Sequence, residues 1–381
     1  MIRMYKLLVF SSVLLAFTFC CQSPKSNHIV HDTMEETYYS PEDFDRIEKI
    51  DAHVHLRTDF DTVFVQQAIR DNFRLLNISV YTSPRLTPEA QEDFSLKLIE
   101  KYPEVVAYGT TFSLEGFTQS DWEKKTLAYL KESFAKGAIA VKVWKNIGME
   151  LKNEQGELVM ITDAVFDPVL RLIKEEDITL LGHLGEPKNT WLPLEEMTVQ
   201  GDRDYFRENP KYHMYNFPDL PSYEEQIAAR DQLLANNPDL RFVGAHLGSL
   251  EYDVYELAKR LDSFPSMAVD MAERISHLQH QAVTDWEGVR DFIISYQDRL
   301  IYGTDLRAGA SDIQAKGLTE PEEISAHAHQ VWLRHWQFFT GDEEMQVPKV
   351  TGTFKALKLP KTVVDKIYRI NAEKWYPGIR H

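Results

Sequence analysis

His53 and His55 stand two residues apart in the run Asp51-Ala52-His53-Val54-His55. On an extended chain the side-chain period of two puts both imidazoles on one face, close enough to share a metal ion. Taken alone, the pair is equally compatible with one buried and one solvated imidazole. Three further metal-ligand types recur, each at the end of a short apolar run: His183 after Leu181-Gly182, His246 after Gly244-Ala245 and Asp305 after Gly303-Thr304. Lys142 lies inside another such run, Val141-Lys142-Val143-Trp144. Neutral imidazole and carboxylate are the usual donors of a catalytic divalent-metal site.

Such a set works only if the fold gathers its members. Eight β-branched apolar runs, at 47–53, 76–81, 105–111, 139–144, 178–183, 240–246, 267–271 and 300–304, read as strands covered on both faces, as in a parallel sheet. Helical patterns at 62–72, 88–101, 121–136, 163–175, 222–236, 251–261 and 285–296 alternate with them. Eight alternations predict a (β/α)8 TIM barrel, with a doubly wound open sheet as the alternative. In such a barrel catalytic side chains gather at the C-terminal ends of the strands, where the histidines and Asp305 fall. Residues 186–221, after the fifth strand, are too long for an ordinary connection. Their Trp191, Tyr205, Phe206, Tyr212, Tyr215 and Phe217 predict a packed lid loop. A second irregular stretch covers 306–319, and extra C-terminal helices are expected at 321–339 and 361–374.

The remaining composition mostly excludes. The chain has 381 residues with 42 Lys+Arg against 59 Asp+Glu, a net charge of −17, which argues against nucleic acid as a partner. Its two cysteines, Cys20 and Cys21, are adjacent, so neither a disulfide scaffold nor a multi-thiolate metal site is available. There is no helical His-Glu-x-x-His, no Gly-x-Ser-x-Gly and no phosphate loop. Arg3, Lys6 and the apolar run 7–19 before the cysteines resemble a bacterial lipoprotein signal peptide. On that resemblance residues 1–20 are the signal, Cys21 (or Cys20) carries lipid, 21–44 form a flexible tether and 45–381 the barrel domain. The expected place is the periplasm or cell envelope, with the lipid anchor as the only membrane contact. An ordinary secretory signal with incidental cysteines is the alternative.

From about 50 to 376 the chain resembles the amidohydrolase superfamily, in particular the amidohydrolase-related branch that also contains metal-dependent decarboxylases. The motifs that carry the resemblance are DAHVH at 51–55, LGHLGEP at 181–187, FVGAHLGS at 242–249, YGTDL at 302–306 and NAEKWYPG at 371–378. The resemblance implies that His53, His55 and His183 hold a divalent ion, expected to be Zn2+. It makes Asp305 both a ligand and the acceptor of a water proton. It makes His246 either a ligand of a second ion or a free acid/base. Lys142 is a carboxylated bridge if there are two ions and a plain lysine if there is one. Arg57, Arg274 and Arg307, near the ends of strands one, seven and eight, are candidates for holding a substrate carboxylate or for pairing with surplus acids. The leading function is a metal-dependent hydrolase in which metal-activated water cleaves a C–N or C–O bond of a small cyclic amide, lactone or ester. The alternatives are non-oxidative decarboxylation on the same scaffold and a non-catalytic binding lipoprotein. The substrate and the oligomeric state are not legible in the sequence.

Overall fold

The computed structural model describes residues 37–57, 61–82, 86–308 and 320–379. The expected signal peptide, Cys20 and Cys21, most of the expected tether and most of the second irregular stretch lie outside these residues. Eight parallel strands follow one another: β1 (Lys49–His55), β2 (Phe73–Ile78), β3 (Val106–Gly109), β4 (Ala140–Val143), β5 (Thr179–Gly182), β6 (Phe242–Gly244), β7 (Met267–Asp270) and β8 (Leu300–Ile301). Ladders join β1 to β2 and β2 to β3, and run continuously from β4 to β8. The gap between β3 and β4 is bridged by Thr110 N–H donating to Ala140 O at 2.8 Å and Lys142 N–H donating to Thr110 O at 2.7 Å. The circuit closes where the chain leaving β8 returns to β1. Ala52 N–H donates to Tyr302 O (3.1 Å) and Asp305 N–H to His53 O (2.8 Å), and β9 (Leu306–Arg307) then pairs with Val54 and His55. The molecule is a TIM barrel, and closure removes the open-sheet alternative.

The local signals for the helices are mostly visible. Thr87 caps the helix Pro88–Lys101 by accepting from Ala90 N–H, with Pro88 in the first turn, where a missing N–H is harmless. Ser222 and Glu225 form a capping box at the start of Tyr223–Asn236. Two apolar populations result. Ile50, Ala52, Leu76, Ile78, Ala140, Leu181, Val243, Ala268 and Ile301 fill the barrel with Trp375 and Tyr376, while Leu75, Val141, Val269 and their neighbours pack outward on the helices.

Three sequence expectations need correction. The second strand begins at Phe73 rather than at 76, because Asn72 turns the chain in the left-handed region (φ 57°) directly before it. The helix Ile275–Ala282 was not anticipated: Ser276, His277, Gln279, His280 and Gln281 interrupt its short apolar face of Ile275, Leu278 and Ala282. The lid has a helix of its own, Gln200–Glu208, whose buried residues are only Asp202 and Phe206. Among the described residues no helix is long and apolar enough to cross a membrane.

Candidate metal centre

A β-bulge sets the direction of the two first histidines. The register of β1 against β2 shifts between Asp51 and Val54. Below the shift Ile50 and Ala52 face the barrel interior; beyond it Val54 joins the outer core and His53 and His55 face the mouth. An inserted residue re-aims every side chain that follows it. Asp51, still in register with Leu75 before the shift, faces the outer helix Pro321–Thr340. There it accepts from Trp332 Nε1 (2.9 Å), Thr304 Oγ1 (2.6 Å) and Thr304 N–H (3.0 Å). Burial pushes its carboxyl up to about 7 against these donated bonds. Gly303 allows the closing turn to approach: a Cβ there would stand 3.0 Å from the His53 Cβ.

The mouth is a cavity of about 340 Å³ walled by His53, His55, Lys142, His183, His246 and Asp305, with Arg57, Val80, Thr82, Trp144 and Arg307. His53 Nδ1 is 2.8 Å from Asp270 Oδ2, at the end of β7, and His55 Nδ1 is 2.7 Å from the Ile78 carbonyl. A proton on each Nδ1 satisfies both contacts and leaves each Nε2 as a lone-pair donor. Those Nε2 atoms stand 3.8 and 2.9 Å from Asp305 Oδ1. Although buried, Asp305 Oδ1 makes no aligned hydrogen bond. His53, His55 and Asp305 offer three ligand atoms within 4.8 Å of one another, a group that could hold a metal ion. The fit is good on chemistry as well: two neutral imidazoles and a carboxylate are an ordinary divalent-metal set.

The other candidates are placed around these three. His246 sits in a left-handed turn (φ 60°), its N–H donating to Asp270 Oδ1 (2.8 Å) and its Nδ1 2.9 Å from Ala272 O. Its ring packs against His53 and His183, with centroids 5.1 and 4.3 Å away. His183 lines the mouth, but its Nε2 is turned to Glu186 Oε2 at 3.3 Å, and Glu186 is also paired with Lys145. Only through Nδ1 could His183 join the cluster in this ring orientation. Lys142 Nζ is 3.3 Å from His53 Nε2, and burial lowers it to about 8.

Electrostatics favour the ligand forms. Burial, with some help from Arg57 and His53, lowers His55 to about 3. Burial and neighbouring Lys142 hold His183 well below its ordinary value; burial and His183 do the same for His246. Burial works the other way on Asp305, but the neighbouring Arg307 guanidinium foremost outweighs it and the carboxyl is held well below the usual range. Asp270, pushed up by burial, is held at about 2 by His53, His246 and Lys142.

Of the three arginines, Arg57 and Arg307 reach the mouth. Arg57 Nη2 lies 3.0 Å from His55 Nδ1 and Arg307 Nη2 lies 3.2 Å from Asp305 Oδ2. Arg274 is not brought into the mouth wall; its guanidinium is directed at Asp202 of the lid helix, 3.9 Å away. Sequence reasoning missed Asp270 and Glu186 as partners of the histidines. Asp270 ends a strand, which was the available signal; Glu186 stands three residues after His183.

The chain matches the amidohydrolase family model over residues 99–378, a span that holds His183, His246 and Asp305 and begins after β1. No curated protein matches. Solved structures do. A 2,6-dihydroxybenzoate decarboxylase complexed with 2,6-dihydroxybenzoate aligns at 13% identity and TM-score 0.52, over 86% of this chain and 99% of the other. A 2,6-dihydroxybenzoate decarboxylase from Rhizobium aligns at 11% identity and TM-score 0.51, over 86% and 98%. A probable 2-pyrone-4,6-dicarboxylic acid hydrolase from Acinetobacter baumannii, with citric acid bound, aligns at 12% and TM-score 0.47, over 87% and 99%. At these identities the likeness to the two decarboxylases is one of fold.

Proposed function

Because this chain belongs to the amidohydrolase family, we propose that its barrel mouth is the active site of a metal-dependent hydrolase. The substrate is a small cyclic amide, lactone or ester, cleaved by water at a C–N or C–O bond. The observation that carries this reading is the buried Asp305 Oδ1, without an aligned hydrogen bond and facing His53 and His55 Nε2. These three residues are the proposed ligands. His183 through Nδ1 and Lys142 are further candidates. A divalent ion there, zinc in this proposal, supplies Lewis acidity and lowers the pKa of a water to about 7.

The chain's own groups do the rest. Asp305, ionised at neutral pH, takes the proton of the attacking water and passes it to the leaving group. His246, kept neutral with its Nδ1–H on the Ala272 carbonyl, turns an Nε2 lone pair to the mouth, where it accepts a hydrogen bond from the attacking water. Asp270 fixes the ring of His53 and the backbone of His246 together. Arg57 and Arg307 meet a substrate carboxylate at the rim, and Trp144 forms an apolar wall.

The test is to strip the protein of metal, restore zinc, and assay a panel of lactones, cyclic amides and esters in ¹⁸O-water. Metal-dependent turnover with ¹⁸O in the product is the expected result. Full activity in metal-free protein would sink the reading. Decarboxylation is the second reading. It is favoured by the two arginines at the rim, and it would release CO2 without ¹⁸O entering the product by hydrolysis. The lipid-tethered, envelope-facing location is proposed from the N-terminal sequence alone.

A further inference from the structure

A second cavity, of about 320 Å³, lies between the segment after β4 and the lid. Met149, Met214, Phe217 and Leu220 give it an apolar lining, closed on one side by the Tyr212 ring. Tyr212 and Trp144 meet edge to face, with centroids 6.4 Å apart, and Trp144 is also a wall of the catalytic mouth. The two cavities therefore share one aromatic partition. Lys145 underlies it: its Nζ is 4.2 Å from the centre of the Tyr212 ring and 5.4 Å from that of Trp144, and it is paired with Glu186, the partner of His183.

We propose that this cavity is a subsite for an uncharged apolar arm, one ring or a short acyl chain, of the substrate whose reacting group sits in the mouth. The inference rests on the hydrolase reading for the head of that substrate; the cavity itself stands on its own geometry. Charge favours a neutral occupant, because Lys145 is neutralised by Glu186 and Lys211 shares the rim with Glu150. Two thioethers in the lining are deformable and adapt to rings and chains alike. Phe217 leaves 40% of its surface exposed at the rim, apolar area that an arriving apolar group would cover. The substrate is thus bipartite, with a polar group for the mouth and an apolar extension reaching past Trp144.

The test uses 4-phenylbutan-1-ol as a neutral probe, titrated calorimetrically into the purified protein before and after zinc loading. Saturable one-to-one binding at about a millimolar or tighter is expected for a probe of this size. Leu220→Trp at the rim and Met214→Trp in the floor fill the space. Each should weaken the probe at least about tenfold, while metal content and thermal midpoint stay at wild-type values. Should Met214→Trp fail to fold, Leu220→Trp carries the test, because its position is only half-buried. No saturable binding, or wild-type affinity in the filled variants, overturns the subsite. Probe binding lost in those variants, in a protein that takes up no metal, would keep the subsite and remove the hydrolase reading. Metal uptake without probe binding would do the reverse.

Discussion

Asp305 occupies a left-handed turn (φ 59°), a conformation that costs a non-glycine residue about 1–3 kcal/mol and persists only where its surroundings impose it. Here the imposing contacts are its own N–H on the His53 carbonyl and the Thr304 side chain on Asp51, which together aim the carboxylate into the mouth. Asp305→Asn keeps the shape and one oxygen but removes the basic charge. Its rate should fall by about two to four powers of ten, the worth of a positioned general base, while part of the metal remains; steady-state kinetics with metal analysis checks both. Survival of activity within a few-fold would transfer the proton role to His246. The histidines make a second expectation at this scale. Protons compete with metal for imidazole, and His55, His183 and His246 all have lowered pKa values, His55 to about 3. Metal should therefore stay bound as pH falls through 6.5, the ordinary histidine value, and leave only in more acidic solution. Equilibrium dialysis across pH reads this directly, and release centred near 6.5 would contradict it.

Among the elements, β1 and the ends of β7 and β8 act as one unit. The side-chain period of two on an extended chain foretold that His53 and His55 share a face, but not that a bulge is what turns them inward. Bulges leave no composition signal, because they are fixed by the neighbouring strand's register rather than by the residues inserted. Asp270 was hidden for a related reason: a buried acid ending a strand looks the same in sequence whether it braces a ligand or an arginine. Arg274 illustrates the converse, since its nearness in sequence to a strand end placed it among candidates for the mouth, whereas the lid helix brought Asp202 to it instead. The Asp270 carboxylate is about 2 in the folded chain against an ordinary 3.8. A lowered folded value stabilises the protein above the unfolded pKa, and that share is lost as pH falls through the folded one. Metal-free wild type should lose about 2 kcal/mol between roughly pH 4 and pH 2 on this account. Asp270→Asn should lack that step and start less stable. Denaturant melts at stepped pH measure it, and an unchanged acid profile in the variant would show that Asp270 does not carry the coupling.

For the whole molecule, the barrel and its eight strands were legible because each strand falls in a short, largely apolar run between helical patterns. The lid was legible as a packed segment but not in its internal form, since its helix is short and mostly polar. The N-terminal reading belongs to this scale too. Replacing both Cys20 and Cys21 should abolish incorporation of labelled fatty acid and release the protein from the membrane fraction; a wild type that takes up no label and is soluble would favour the ordinary secretory signal instead. The central claim is that the mouth is a metal centre built on β1 and the end of β8. Direct zinc titration of the purified metal-free protein, wild type beside the His53→Ala/His55→Ala double variant, tests it most directly. Wild type should bind at least one zinc per chain, with a rise in thermal midpoint as the ligand stabilises the folded state, and the double variant should lose that binding while remaining folded. A wild type that binds no zinc, or a double variant that binds it with undiminished affinity, would contradict the assignment.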